Sequence, residues 1–169
     1  MKKDFSGLKK LQARLNGLNS EKGAFMAKTA AGVAAIFLRE VKKRTPVGVG
    51  TFEQVGVYKR GQKKGQPKLK RVSQGGTLRR GWYAGHVERR GRVYLTSVRN
   101  PVTYAPYVEY GHRQTPGQYV PAIGKRLKKS WVEGQFMMTK SAPATESARK
   151  AYAKARFREF LERNMKDGK

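Results

Sequence analysis

Asn100 to Arg113 reads NPVTYAPYVEYGHR, and the conformation of its middle, Tyr104–Gly111, decides the fold. As a strand it would hold Pro106 at its centre and lose a ladder hydrogen bond there. As a short helix it has Pro106 in the first turn and Gly111 to close the end. The helix is the better reading. It puts Tyr104, Tyr107 and Val108 on one face.

Upstream, Leu78 to Val98 is strand-like. Val93–Thr96 returns after a turn expected at Arg89–Arg90–Gly91, the pattern of a hairpin. Residues 47–76 are the least regular part, punctuated by Gly50, Gly56, Gly61, Gly65, Pro67 and Gly75. Phe52–Tyr58 and Leu69–Ser73 can pair as hairpin arms with RGQKKGQPK at the tip. Residues 4–44 read as helix, capped by Asp4 or Ser6, with Leu8, Leu11, Leu15 and Leu18 at spacings of three and four. Asn19–Ser20 reads as a break, and the helix must end before Pro46. The Leu8–Leu18 half either packs on a sheet or serves as an arm onto a neighbouring subunit. Downstream, residues 114–124 are rich in glycine and proline, and Trp131–Val132 forms a short apolar piece. A last helix is expected from about Ala142 to Met165, started by Pro143 and Thr145. Its face of Ala153, Phe157, Phe160, Leu161 and Asn164 can close over the sheet.

The 169 residues suit one domain, with 47–76 as an inserted basic loop or hairpin. The formal net charge of +27, from 38 basic and 11 acidic residues, calls for a polyanionic or acidic neighbour. Nucleic acid is the obvious candidate, because contact with Lys and Arg releases condensed counterions. The absence of cysteine excludes disulfides, thiolate zinc sites and cysteine nucleophiles. No apolar stretch reaches the length of a membrane span. MKKDFSGLKK lacks the apolar run of a signal peptide.

No catalytic set emerges. His86 and His112 lie in different segments without metal-ligand spacing, and the acids are scattered singly. A two-metal nuclease needs several acids converging. Glu109 and His112 form at most a lone acid–base pair. The simpler reading pairs Glu109 with an arginine and stacks His112 near a helix end. No nucleophile elbow, phosphate loop or dinucleotide fingerprint is present. No metal or cofactor is expected, and the chain does not read as an enzyme. Tyr104, Tyr107 and Tyr110, with Trp82 and Trp131, could stack on single-stranded nucleic acid or anchor a core or subunit interface. Their interleaving with Ala105, Pro106 and Val108 favours packing.

Four pieces occur in a telling order: Thr45–Pro46–Val47; Gly76–Thr77–Leu78–Arg79–Arg80–Gly81–Trp82; Asn100 with Tyr104–Gly111; and Gly134–Gln135–Phe136–Met137. In this the chain resembles the head–tail joining, or tail-completion, proteins (minor tail components) of long-tailed, lambda-like siphophages. It departs from them in two places. About thirty residues are inserted after the Pro-Val segment, long for a connection in a single domain. Gly81 stands where a serine is common. The resemblance implies an α+β subunit with a long N-terminal helix, a small antiparallel sheet with hairpins, and a C-terminal helix packed on the sheet. It also implies a virion protein of the neck or tail end, assembled in the host cytoplasm into a homo-oligomeric, six-fold ring around the DNA channel. Its neighbours would be tail-terminator, head-closure or tube proteins. Trp82, Tyr104, Tyr107, Glu109, Tyr110, Gly111, Trp131 and Phe136 would then be core or subunit-interface residues.

The insertion is the most basic part of the chain. Lys59, Arg60, Lys63, Lys64, Lys68, Lys70 and Arg71 are expected to face channel DNA or a neighbouring ring, meeting double-stranded DNA by charge alone. The alternative is a free, basic, non-sequence-specific nucleic-acid-binding protein.

Overall fold

A computed structural model describes residues 5–48, 52–71, 75–120 and 125–165. The helices are α1 (Ser6–Arg44), α2 (Thr77–Gly81), α3 (Ala105–Tyr110), α4 (Met137–Ala144) and α5 (Glu146–Met165). The strands are β1 (Phe52–Val57), β2 (Pro67–Arg71), β3 (Tyr83–Ala84), β4 (Glu88–Arg90), β5 (Val93–Leu95), β6 (Val98–Arg99), β7 (Gly111–Arg113), β8 (Tyr119–Val120), β9 (Lys125–Arg126) and β10 (Trp131–Glu133). The class is α+β. Among the described residues the strands form five two-stranded antiparallel ribbons: β1–β2, β3–β6, β4–β5, β7–β10 and β8–β9.

Helix α1 runs through Asn19–Ser20 without the expected break. Ser20 Oγ donates to the Gly17 carbonyl at 2.8 Å, and Asn19 Oδ1 accepts from Lys22 Nζ at 3.3 Å. Polar side chains satisfied along the helix have no need to recap it. The helix stops at Arg44, ahead of Pro46 as proline geometry requires. The alternative cap Asp4, the turn at Gly50 and the hairpin-arm end at Ser73 lie outside the described residues.

Backbone contacts divide the chain into two units. The first comprises Met1–Glu40, Tyr83–Arg99 and Thr139–Lys169. Here the aromatic face of α5 meets α1. Phe160 stacks on Phe25 with ring centroids 4.4 Å apart, and Phe157 lies tilted at 6.2 Å. Glu21 and Arg163 pair across the two helices. Gly32 makes the approach possible, since a Cβ there would collide with the Tyr152 ring. Arg149 of α5 also lines a hollow of about 430 Å³ with Tyr94, Leu95, Thr96 and Val98. The β4–β5 turn falls on Gly91–Arg92, because Gly91 supplies the left-handed φ of 62°, and Arg89 and Arg90, expected in the turn, belong to β4.

The C-terminal helix differs from expectation at its start. It begins at Met137, not near Ala142, and is interrupted at Thr145. Pro143 therefore sits late in α4 instead of opening a helix. As a proline it cannot donate to the carbonyl one turn upstream, while the Thr145 N–H still reaches the Ser141 carbonyl at 3.1 Å. Thr145 Oγ1 donates to the Ser141 carbonyl at 2.8 Å and Arg149 Nη2 to the Ala142 carbonyl at 2.8 Å. These bonds occupy carbonyls at the break.

The second unit comprises Val41–Trp82 and Asn100–Met138. Its first departure is at Leu78, which reads as strand but lies buried in α2. Gly76, at φ 74°, turns the chain into that helix, and the strand-like sequence begins only at Tyr83. Tyr104–Gly111 is the expected short helix. Pro106 lies in its first turn, and the N–H of Gly111 donates to the Tyr107 carbonyl at its end.

Candidate assembly surface

The quoted motifs of the second unit are tied to one another by hydrogen bonds. The carbonyls at the end of a helix lack intrahelical donors. At the end of α1, Thr45 Oγ1 donates to the Val41 carbonyl at 2.7 Å. It accepts from Trp82 Nε1–H at 2.8 Å. Arg79 Nε and Nη2 both donate to the Thr45 carbonyl, at 2.9 and 2.6 Å. Thr45 is fully buried and Trp82 is 4% exposed, so these bonds form where water cannot substitute. The threonine of one motif thus holds the arginine and tryptophan of the next.

Asn100 closes the second link. Its Nδ2 donates to the Leu78 carbonyl at 2.7 Å, and its Oδ1 accepts from the Val102 N–H at 3.1 Å. Gly81 makes room, since a Cβ there would lie 2.6 Å from Asn100 Oδ1 and 3.0 Å from Val102 Cγ2. This accounts physically for glycine where the resemblance leads one to expect serine.

Glu109 closes the third. It is 5% exposed, and its Oε2 accepts from the Met138 N–H at 3.1 Å, in the first turn of α4. A carboxylate at a helix N-terminus satisfies an orphan donor and complements the dipole. Backbone bonds reinforce the link: Gln135 N–H to the Val108 carbonyl at 2.8 Å, and Phe136 N–H to the Glu109 carbonyl at 3.0 Å. Phe136 adopts a positive φ of 52°, rare for a bulky residue, immediately before α4. Gly111 and Gly134 let the chains pass closely. A Cβ on Gly111 would lie 2.9 Å from Gly134 N and 3.0 Å from the Trp131 ring, and one on Gly134 would lie 2.6 Å from the Tyr110 carbonyl carbon.

The residues expected at a core or interface therefore occupy two environments. Trp82 and Glu109 are buried in this frame, and Gly111 and Phe136 shape its backbone. Tyr104, just before α3, Tyr107 and Tyr110 on α3, and Trp131 on β10 stand exposed, Tyr107 at 59% and Tyr110 at 63%. His112 meets Tyr107 edge-on at 6.0 Å, and its Nε2 lies 3.3 Å from the Gln114 amide. Among the described residues, no group of three or more His, Asp or Glu side chains could hold a metal ion. No described helix is long and apolar enough to cross a membrane. Thr45, Arg79 and Asn100 were not singled out by the chemistry of their side chains. Their presence inside the ordered motifs was the signal.

The basic segment is a hairpin. Strands β1 and β2 pair from Phe52↔Arg71 to Val57↔Pro67, with a bulge between Gln54 and Gly56. The tip closes through Gly65 N–H to the Tyr58 carbonyl at 2.9 Å and Lys64 N–H to the Gly61 carbonyl at 3.0 Å. Lys59, Arg60, Lys63, Lys64, Lys68 and Lys70 are all exposed, and Arg71 ends β2. Period-two alternation puts Lys68 and Lys70 on one face of β2 and Leu69, 57% exposed, on the other.

Residues 9–111, more than half of the chain, match the family described as "Bacteriophage HK97-gp10, putative tail-component". The Gly134–Met137 piece lies beyond the matched segment. No match was found among the curated proteins or among the solved structures. The chain belongs to the HK97 gp10-like family of bacteriophage tail components, and its role is structural, within a phage tail.

Proposed function

We propose that this protein completes the end of the tail. Copies close into a ring around the DNA channel, and the ring joins the tail to the neck of the capsid. A head-to-tail interface that closes by rotation generates such a ring. One observation carries the reading: Tyr107 and Tyr110 are exposed on α3, a helix whose neighbouring backbone is fixed by the motif frame. Rigid tyrosines at fixed positions suit the anchors of a subunit interface. No chemistry is required of the chain. Its other contacts would be tail-terminator, head-closure or tube proteins, met in the host cytoplasm and retained in the virion.

The test is size-exclusion chromatography with light scattering at high salt. The wild type is expected as a ring-sized oligomer, and the Tyr107→Ser/Tyr110→Ser double variant as a folded monomer. A monomeric wild type that binds DNA tightly overturns this reading in favour of a free nucleic-acid-binding protein.

The hairpin would supply a salt-sensitive contact to channel DNA through Lys59, Arg60, Lys63, Lys64, Lys68, Lys70 and Arg71. Replacing Lys63, Lys64, Lys68 and Lys70 by glutamine is expected to flatten the dependence of log K on log salt by roughly 3 to 4, since each phosphate contact contributes about 0.9. An unchanged slope together with unchanged joining of heads to tails refutes this role.

A further inference from the structure

The first half of α1 carries a feature that ring closure through α3 does not use. Leu8, Leu11, Leu15 and Leu18 follow spacings of three, four and three, the seam of a two-heptad coiled coil. Leu8 is 69% exposed, and Leu11 and Leu15 are close to half exposed. The seam does not end in solvent. Leu15 and Leu18 run into a groove of about 330 Å³ completed by Phe25, Met26, Phe157 and Phe160, with Asn19 and the basic Lys22 on its lining. From Leu8 to Phe25 the track is about 26 Å long, at 1.5 Å per residue. Such a strip of leucine is the receiving half of a helix-in-groove contact.

The flanking charge selects the occupant. Between residues 5 and 20 the charged side chains are Lys9, Lys10 and Arg14, with no acid. The first acid beyond them, Glu21, already pairs with Arg163. A second copy of this stripe would bring like charges together, which disfavours the pairing. We infer that the Leu8–Phe25 face of α1 receives an acidic amphipathic helix of another protein. The tail-assembly reading contributes only the setting, a neighbouring tail component as donor of that helix.

A fluorescently labelled synthetic peptide of about four heptads, with leucine at a and d and glutamate at e and g, is the probe. Anisotropy is read against the full chain, the Leu11→Glu/Leu15→Glu variant, and the same peptide with lysine for glutamate. Both replaced leucines are exposed, so circular dichroism is expected to report an unchanged fold. The acidic peptide is expected to bind the wild type, to lose at least tenfold in affinity with the variant, and to bind better than the lysine peptide. Equal binding by the two peptides, or undiminished binding by the variant, overturns the inference. So does stripe-dependent self-association, or binding to anionic vesicles in preference to the acidic peptide. The variant's oligomeric state at high salt separates the two readings. A variant that still forms rings but loses the peptide has failed only in this contact.

Discussion

The motif frame and the basic hairpin both turn on glycines with positive φ, yet those glycines are held by different things. Gly111, at φ 85°, is enclosed by Gly134 and Trp131. Gly65, also at φ 85°, has nothing within 4 Å of the place a Cβ would take. In the frame, Thr45, Arg79, Trp82 and Asn100 each bond a residue from another motif, and Glu109 accepts from the N–H groups of Phe136 and Met138. In the hairpin, β1 has β2 as its sheet partner, and a lone two-stranded ribbon is marginal in water. The frame is satisfied inwardly and can present side chains rigidly. Among the described residues the hairpin is held by its own two strands alone, which suits the outward-facing role proposed for it.

The sharpest way to break this comparison is to give both glycines a methyl group. Gly111→Ala is expected to destabilise the chain by about 3 kcal/mol or more, adding steric overlap to backbone strain. Gly65→Ala adds strain alone, about 1 kcal/mol. Urea unfolding midpoints at constant slope report both. Equal losses would erase the distinction. Trp82→Phe comes next. It removes the indole N–H from Thr45 Oγ1 while filling most of the volume, and should cost about 1–3 kcal/mol. Glu109→Ala removes the carboxylate at the start of α4 and should cost about 1–2 kcal/mol, read by the same unfolding curves. The smallest effect on stability belongs to the hairpin charges. Neutralising Lys63, Lys64, Lys68 and Lys70 should move stability by no more than about 0.5 kcal/mol, because they are exposed. A large loss there would mean the hairpin is integral to the fold.

Much of this was legible in the sequence. Pro106 and Gly111 bracketed α3 because both act through local backbone geometry. The first hairpin arm and the end of α1 before Pro46 followed from equally local rules, whereas β2 opens at Pro67, inside the expected tip. Failures came where distant groups decided. Ser20 has the form of a cap but bonds back to Gly17. Pro143 has the form of a helix start, yet α4 opens at Met137 with a carboxylate from Glu109 in its first turn. Leu78 opens the stretch read as strand-like but joins a helix launched by left-handed Gly76. At the candidate surface, composition named the tyrosines, tryptophans and glutamate without separating them. Burial of Trp82 and Glu109, and exposure of Tyr107 and Tyr110, depend on contacts between motifs about thirty residues apart or more.

Under the proposed function the chain acts by joining structures. The most direct test is electron microscopy of particles made in the absence of this protein. Separate DNA-filled heads beside finished, unattached tails are expected. Intact virions in normal numbers would contradict it.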